Sequence, residues 1–190
     1  MSGESLKNAK EKIRKEILLR LRKQKEEDRR HKSLLILKKL FALVEFKRAK
    51  TVLFYASFDG EVETLEMMEQ ALTLGKKIAL PNIHTKNKEI IPTYVNDLQE
   101  DLILGPYGIQ QSRHHPALGV ELDEIDLSIV PGIAFDRDNY RLGRGAGYYD
   151  RFLVRLSKHI PSIGLAFDFQ IVSRLPRQEH DIPMTKVISN

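Results

Sequence analysis

The 190-residue chain reads as an α/β protein built on a mostly parallel, doubly wound sheet, and three features predict that class. The apolar runs Thr51 to Ala56, Asp126 to Val130 and Ser162 to Phe167 are continuous rather than alternating, as strands covered on both faces must be. Stretches with helical spacing lie between such runs, so strand and helix alternate. A glycine-rich segment from Gly143 to Gly147 sits between a strand and a helix, where parallel folds commonly place a ligand loop.

The first element is a long amphipathic helix from about Ser5 to Arg30, with Ile13, Ile17, Leu18 and Leu21 at helical spacing and Ser5 as a candidate N-cap. A second helix carries Leu34, Leu37, Leu40, Phe41 and Val44 on one face. After the strand Thr51–Ala56, Thr64 can cap a helix bearing Leu65, Met68, Ala71 and Leu72, and Gly75 can end it. Lys77 to Pro81 then reads as the next strand and completes a βαβ unit. Glu89 to Tyr94 contains Pro92, which cannot donate to a central ladder, so that strand belongs at an edge or a bulge. Residues 95–120 lack periodicity and suit a loop covering a pocket. Beyond the strand in 126–132 come a helix from Gly147 to Leu156, the strand Ser162–Phe167, a short helical turn near Ile171 and a final strand, Lys186–Ser189.

Composition narrows the chemistry. Hydrophobic residues make up 42% and charged residues 30%, the balance of a globular domain, and the length suits one domain spanning 1–190. With no cysteine, thiol nucleophiles, disulfides and iron–sulfur ligation are excluded, and any metal must be held by oxygen or imidazole. The charged N-terminus and the lack of a long apolar run predict a cytoplasmic protein without a membrane partner. A net charge of +5 favours an anionic ligand without saying which.

Gly143, Gly145 and Gly147 let the backbone approach a phosphate closely, and Arg141 and Arg144 add cationic forks. Neither the dinucleotide fingerprint nor the Walker spacing is present, so a different phosphate loop is implied; a tight turn relieving steric strain would use the same glycines. Tyr148 and Tyr149 suit a core pair and equally a platform for a heteroaromatic ring.

The block Arg141-Leu142-Gly143-Arg144-Gly145-Ala146-Gly147-Tyr148-Tyr149-Asp150, preceded by Pro131-Gly132-Ile133-Ala134-Phe135-Asp136, resembles the signature of the 5-formyltetrahydrofolate cyclo-ligase (methenyltetrahydrofolate synthetase) family. The likeness continues in Lys10-x-x-x-Arg14, in Ser57 to Thr64 with Glu61-Val62-Glu63-Thr64, and in His180-Asp181-Ile182-Pro183-Met184. It implies a three-layer α/β/α sandwich similar to the ribose-phosphate isomerase and CoA-transferase type. It also implies a cyclo-ligase using ATP and Mg²⁺ on 5-formyltetrahydrofolate.

By spacing alone Lys10 and Arg14 share a helix face, where charge usually serves solubility; the resemblance makes them ATP ligands together with Arg141 to Tyr149. Asp150 would otherwise be a helix-dipole acid and Asp181 a turn residue; the resemblance makes both Mg²⁺ ligands. Ala56 and Glu61 become folate contacts, Glu61 meeting the pterin N–H donors, while Arg144 and Tyr148 take catalytic places where the two substrates meet. His114, His115 and His180 receive no role. Asn139 and Ala146 depart from the family pattern: asparagine tolerates positive φ, so the turn should survive, and alanine removes any ammonium at that position.

The implied reaction has the formyl oxygen attack the γ-phosphate of ATP, N10 then attack the activated carbon, and phosphate leave, giving 5,10-methenyltetrahydrofolate. A monomer acting on small molecules, without nucleic acid, is expected. Two other readings stand beside it. One is a basic nucleic-acid-binding module, which leaves the glycine block unexplained; the other is an isomerase-like α/β enzyme acting on a sugar phosphate.

Overall fold

The computed structural model describes residues 3–114, 119–178 and 181–190. Two long helices, α1 (Gly3–Lys23) and α2 (Glu26–Ala42), and the short α3 (Val44–Arg48) precede β1 (Thr51–Leu53). There follow α4 (Leu65–Thr73), β2 (Lys77–His84), β3 (Glu89–Val95), β4 (Leu102–Leu104) and β5 (Gln110–Ser112). The second half holds β6 (Leu127–Val130), β7 (Ala134–Asp136), β8 (Arg141–Leu142), α5 (Tyr148–Arg155), β9 (Ser162–Ala166), β10 (Ile171–Val172) and β11 (Lys186–Ser189).

The central sheet runs β11-β9-β6-β1-β2-β3, parallel throughout except for β3, which lies antiparallel to β2 at the edge. The expected edge placement of the Pro92 strand is thus met. Pro92 faces Pro81 across the ladder. Directly opposed residues exchange either both N–H bonds or none, so pairing the two prolines at a non-bonded position costs the sheet no donor.

Burial on both faces shows in the alternation of contacts along each strand. Val52, Ile78, Leu80, Leu127, Ile129, Ile163 and Leu165 join a cluster with Ile17 and Leu21 of α1, Ile36, Leu37 and Leu40 of α2, and Met67 and Met68 of α4. Leu53, Ala79, Val130 and Ala166, one residue out of step, join Phe152 and Leu153 of α5 instead. Helices therefore cover both faces, the three-layer arrangement expected. Each of these large apolar side chains contributes roughly 1.5–3 kcal/mol by leaving water.

The structure corrects the sequence reading in several places, among them Val44, which lies past the break at Leu43, exposed in α3 and not on the apolar face of α2. The first helix does not reach Arg30: it stops at Lys23, and Lys25 is extended at φ −65°, ψ 143°. The break lets two helices each lay an apolar face on the same sheet, which one straight helix of that length would overshoot. That first helix also begins at Gly3, before Ser5. The β1 ladder ends at Leu53; Phe54, Tyr55 and Ala56 stay buried, and the Phe54 N–H still donates to Ala79 (2.9 Å), but the chain is leaving the sheet. Residues 102–112 form a β4–β5 hairpin rather than irregular loop, its tip a 3₁₀ turn at Pro106–Gly108 with Tyr107 at φ 64°.

A second small sheet, β10-β7-β8, also lay outside the sequence reading. The buried Asp136 carboxylate organises it, accepting the N–H groups of Asp138, Tyr140 and Leu175 (each 3.0 Å) and the guanidinium of Arg177 (2.8 Å). Burial alone would raise this carboxyl; the Leu175 amide and Arg177 outweigh it and hold it below the usual range. Asn139, in the β7–β8 turn, has φ 64°, the conformation expected of it. Its carbonyl accepts the Met184 N–H (2.9 Å) and so fastens the C-terminal segment to this sheet.

Candidate active site

Where β1 leaves the sheet, at its carboxyl end, the chain opens a cavity of about 470 Å³. Tyr55, Ala56, Pro81, Ile83 and Ile133 give it apolar walls, and the turn after β1 delivers Phe58, Asp59 and Glu61. That turn is built by local bonds. Thr64 Oγ1 donates to the Tyr55 carbonyl (2.6 Å), the Glu61 N–H donates to Phe58 (3.2 Å), and Asp59 and Gly60 hold φ of 52° and 83°.

Glu61 is 7% exposed and meets Arg144, whose Nε and Nη2 donate to Glu61 Oε1 at 3.3 and 3.1 Å. Burial pushes its carboxyl up to about 7; Arg144 and the Phe58 amide pull the other way, while Asp59 adds to the rise. Arg144 also donates from Nη1 to Asp59 (2.9 Å), and its guanidinium lies 4.0 Å from the Phe58 ring centre. Two phenols share this environment: burial raises both Tyr55 and Tyr149, and the Glu61 charge adds to each. The Tyr55 hydroxyl donates to Val62 (3.2 Å).

The glycine block connects this cavity to α1. Gly143, Arg144, Ala146, Gly147, Tyr148, Tyr149 and Asp150 line the cavity, with Arg141 beside them. From the helix, Arg14 Nε donates to the Gly143 carbonyl (2.9 Å), and the same guanidinium packs beside Gly145. Lys10, one turn earlier, pairs with Asp181 (3.0 Å), so α1 joins the glycine block to the C-terminal segment. Gly147, at φ 71°, is the N-cap of α5 and has no side chain to occupy the first amides of that helix.

Arg141 is turned inward. It is ion-paired with Asp150, donates to the Pro131 carbonyl (3.3 Å) and lies 5.5 Å from the Tyr149 ring centre. Leu142 sends its side chain into the core. Of the other expected residues, Ala56, Glu61, Arg144 and Tyr148 line the cavity and Arg14 holds the loop at Gly143, while Lys10 reaches Asp181 and not the cavity. Asp150 and Asp181 each have a cationic partner, Arg141 and Lys10 respectively. Among the described residues no three His, Asp or Glu side chains converge, so an ion here would draw most of its oxygens from phosphate and water, as Mg²⁺ does. Asp150 and Asp181 offer the carboxylate oxygens that a hard ion takes, each held here by its own cation. His114 pairs with Asp101 (3.2 Å), while His115 and His180 lie outside the described residues.

Sequence reasoning missed Arg22, Phe58, Asp59, Tyr107 and Ile109, all of which line the cavity. Tyr107 shares a hydrogen bond with Tyr148 (3.3 Å between hydroxyls) across edge-on rings, so the hairpin tip reaches the loop. The Gly-Pro-Tyr-Gly run around it was the available signal, since it marks a turn with an exposed aromatic.

Among the described residues, no helix is long and apolar enough to cross a membrane. The solved structure of 5,10-methenyltetrahydrofolate synthetase from Aquifex aeolicus superposes with a TM-score of 0.83 at 34% identity, covering 95% of this chain and 89% of that one. The Mycoplasma pneumoniae synthetase gives a TM-score of 0.76 at 27% identity over 94% of this chain and 97% of the other. The mouse 5-formyltetrahydrofolate cyclo-ligase is 30% identical over 99% of this chain and 97% of its own length; the Escherichia coli K12 protein is 35% identical over 74% and 78%. Residues 6–190 match the family described as the 5-formyltetrahydrofolate cyclo-ligase family, and the chain belongs to that family.

Proposed function

We propose that the chain, acting as a monomer, converts 5-formyltetrahydrofolate to 5,10-methenyltetrahydrofolate at the expense of ATP, releasing ADP and phosphate. The observation that carries this reading is the position of the glycine block, open to the cavity through Arg144, Ala146 and Tyr148 and gripped by Arg14 through Gly143. A loop so placed serves two substrates at once.

In this reading the nucleotide lies along the glycine block, with Lys10 and Arg14 meeting its phosphates from α1 and the uncapped amides of α5 adding their dipoles. The pterin enters the cavity, where the Glu61 carboxylate accepts its amino and ring N–H groups. The formyl oxygen attacks the γ-phosphorus and ADP departs; the N10 lone pair then attacks the formyl carbon, phosphate leaves with the former formyl oxygen, and the N10 proton is lost. No side-chain nucleophile is needed. Arg144 and Tyr148 orient the reacting groups where both substrates meet, and the cavity keeps water from the activated carbon. Asp150 and Asp181 are the carboxylates that would hold Mg²⁺, whose charge offsets that of the transferring phosphoryl group.

Purified protein given ATP, Mg²⁺ and 5-formyltetrahydrofolate should develop the near-ultraviolet absorbance of the methenyl product. Omitting any one of the three should abolish it. Product formed without ATP would refute the reading.

A further inference from the structure

Arg144 is the residue on which the proposed chemistry turns, yet its own contacts to Glu61 are long, at 3.3 and 3.1 Å, and leave Nη1 free to swing. What closes that freedom is Asp59. Its Oδ2 accepts Arg144 Nη1 at 2.9 Å, while the Phe58 ring, 4.0 Å from the guanidinium carbon, supports one face of the group.

Asp59 is itself immobilised. Arg22 of α1 donates to both of its oxygens, Nε to Oδ1 at 2.7 Å and Nη2 to Oδ2 at 2.9 Å. Its backbone holds φ at 52°, a left-handed conformation uncommon for a residue with a side chain, and such outliers persist where the surroundings fix them. The Arg22 hydrogen bonds come first among the causes that keep its carboxyl ionised and below the usual range, burial opposing them and Arg144 assisting. The result is a chain of alternating charge from α1 to the cavity: Arg22, Asp59, Arg144, Glu61.

The arithmetic of donors gives the chain a purpose. A guanidinium has five N–H groups. Nε–H and one Nη2–H go to Glu61 and one Nη1–H goes to Asp59, which leaves one on each Nη for a ligand.

We propose that Asp59 is a positioning residue for Arg144: anchored by Arg22, its carboxylate fixes the guanidinium between Glu61 and the Phe58 ring so that the two remaining N–H groups face the substrates. The proposal rests on the role given to Arg144 in the reading above. It differs from a merely structural role, in which Asp59 would tie the turn after β1 to α1 and affect activity only through stability.

Asp59→Asn is the suitable variant, since asparagine accepts the same backbone conformation and removes only the charge. Two results are expected in the full-length protein. The rate constant kcat for the cyclo-ligase reaction falls roughly tenfold, more than KM changes, as expected when a reacting geometry is loosened. Asp59→Asn adds little further loss to Arg144→Lys, which is damaging alone.

Fully additive losses in the double variant, or a loss carried by KM rather than kcat, would overturn the proposal. If Asp59→Asn does not fold, Asp59→Gly, for which a φ of 52° is unstrained, makes the same comparison. A wild-type chain without turnover would refute the reading above, and the proposal would then be decided by NMR. The Arg144 Nε–H signal should exchange slowly in the wild type and fast in the variant; equal exchange in both contradicts it.

Discussion

Glu61 combines deep burial with a ligand-facing position, and the two together make its titration an observable. In the unfolded chain it has an ordinary value of 4.5; in the fold, burial raises it to about 7. A raised pKa means that folding favours the protonated form. The stability it supplies is therefore complete below about pH 4.5 and is lost as pH rises through about 7. A shift of this size corresponds to on the order of 3 kcal/mol between the two limits. Glu61→Gln cannot ionise, so between about pH 5 and about pH 8 its melting temperature should fall less than that of the wild type. Parallel melting curves would show that Glu61 titrates normally. The same carboxyl must be ionised to accept pterin N–H groups, which sets an acid limit on folate binding near pH 7.

At the scale of elements, the turn after β1 and the β4–β5 hairpin bring side chains to the cavity by different means. Gly60, at φ 83°, presses on the end of α1, where a Cβ would collide with the Leu21 carbonyl oxygen. Gly75, at φ 76°, has nothing within 4 Å of its Cβ position. Both positions resist an L side chain, but only one is crowded. Gly75→Ala should cost about 1 kcal/mol and Gly60→Ala roughly 2–4 kcal/mol in denaturant unfolding, the difference measuring the close approach. Equal costs would mean that α1 yields to the turn. The hairpin contributes Tyr107, exposed over two-thirds of its surface yet joined to Tyr148. Tyr107→Ala should raise KM for the folate several-fold and leave that for ATP within about twofold, because it removes a wall of the cavity and no phosphate contact. An equal rise in both would place the hairpin over the nucleotide instead.

Across the whole molecule, the sequence carried its long-range order well and its short elements poorly. Continuous apolar runs announced β1, β6 and β9 because each residue on those strands has a core to face, Val52 on one side of the sheet and Leu53 on the other. The paired β7 and β8 strands and β10, two or three residues each, held by Asp136 and its N–H donors, left no periodic trace. The site divides the same way. Lys10, Arg14 and Glu61 entered the candidate site through the family resemblance and the glycine block through its own pattern, whereas Asp59 and Arg22 had neither signal, since their meaning lies in a contact 37 residues apart. The inward turn of Arg141 onto Asp150 was likewise invisible before the fold brought them together.

In the proposed function the glycine block is a shared wall, with phosphates met from α1 and the folate held in the cavity. Steady-state kinetics of Arg14→Ala, with each substrate varied in turn, tests that division most directly. It predicts a KM for ATP raised at least about tenfold, the loss of one charge-assisted phosphate contact, with the KM for 5-formyltetrahydrofolate within about twofold of wild type. A variant whose folate KM rises as much as its ATP KM, or alone, would contradict it.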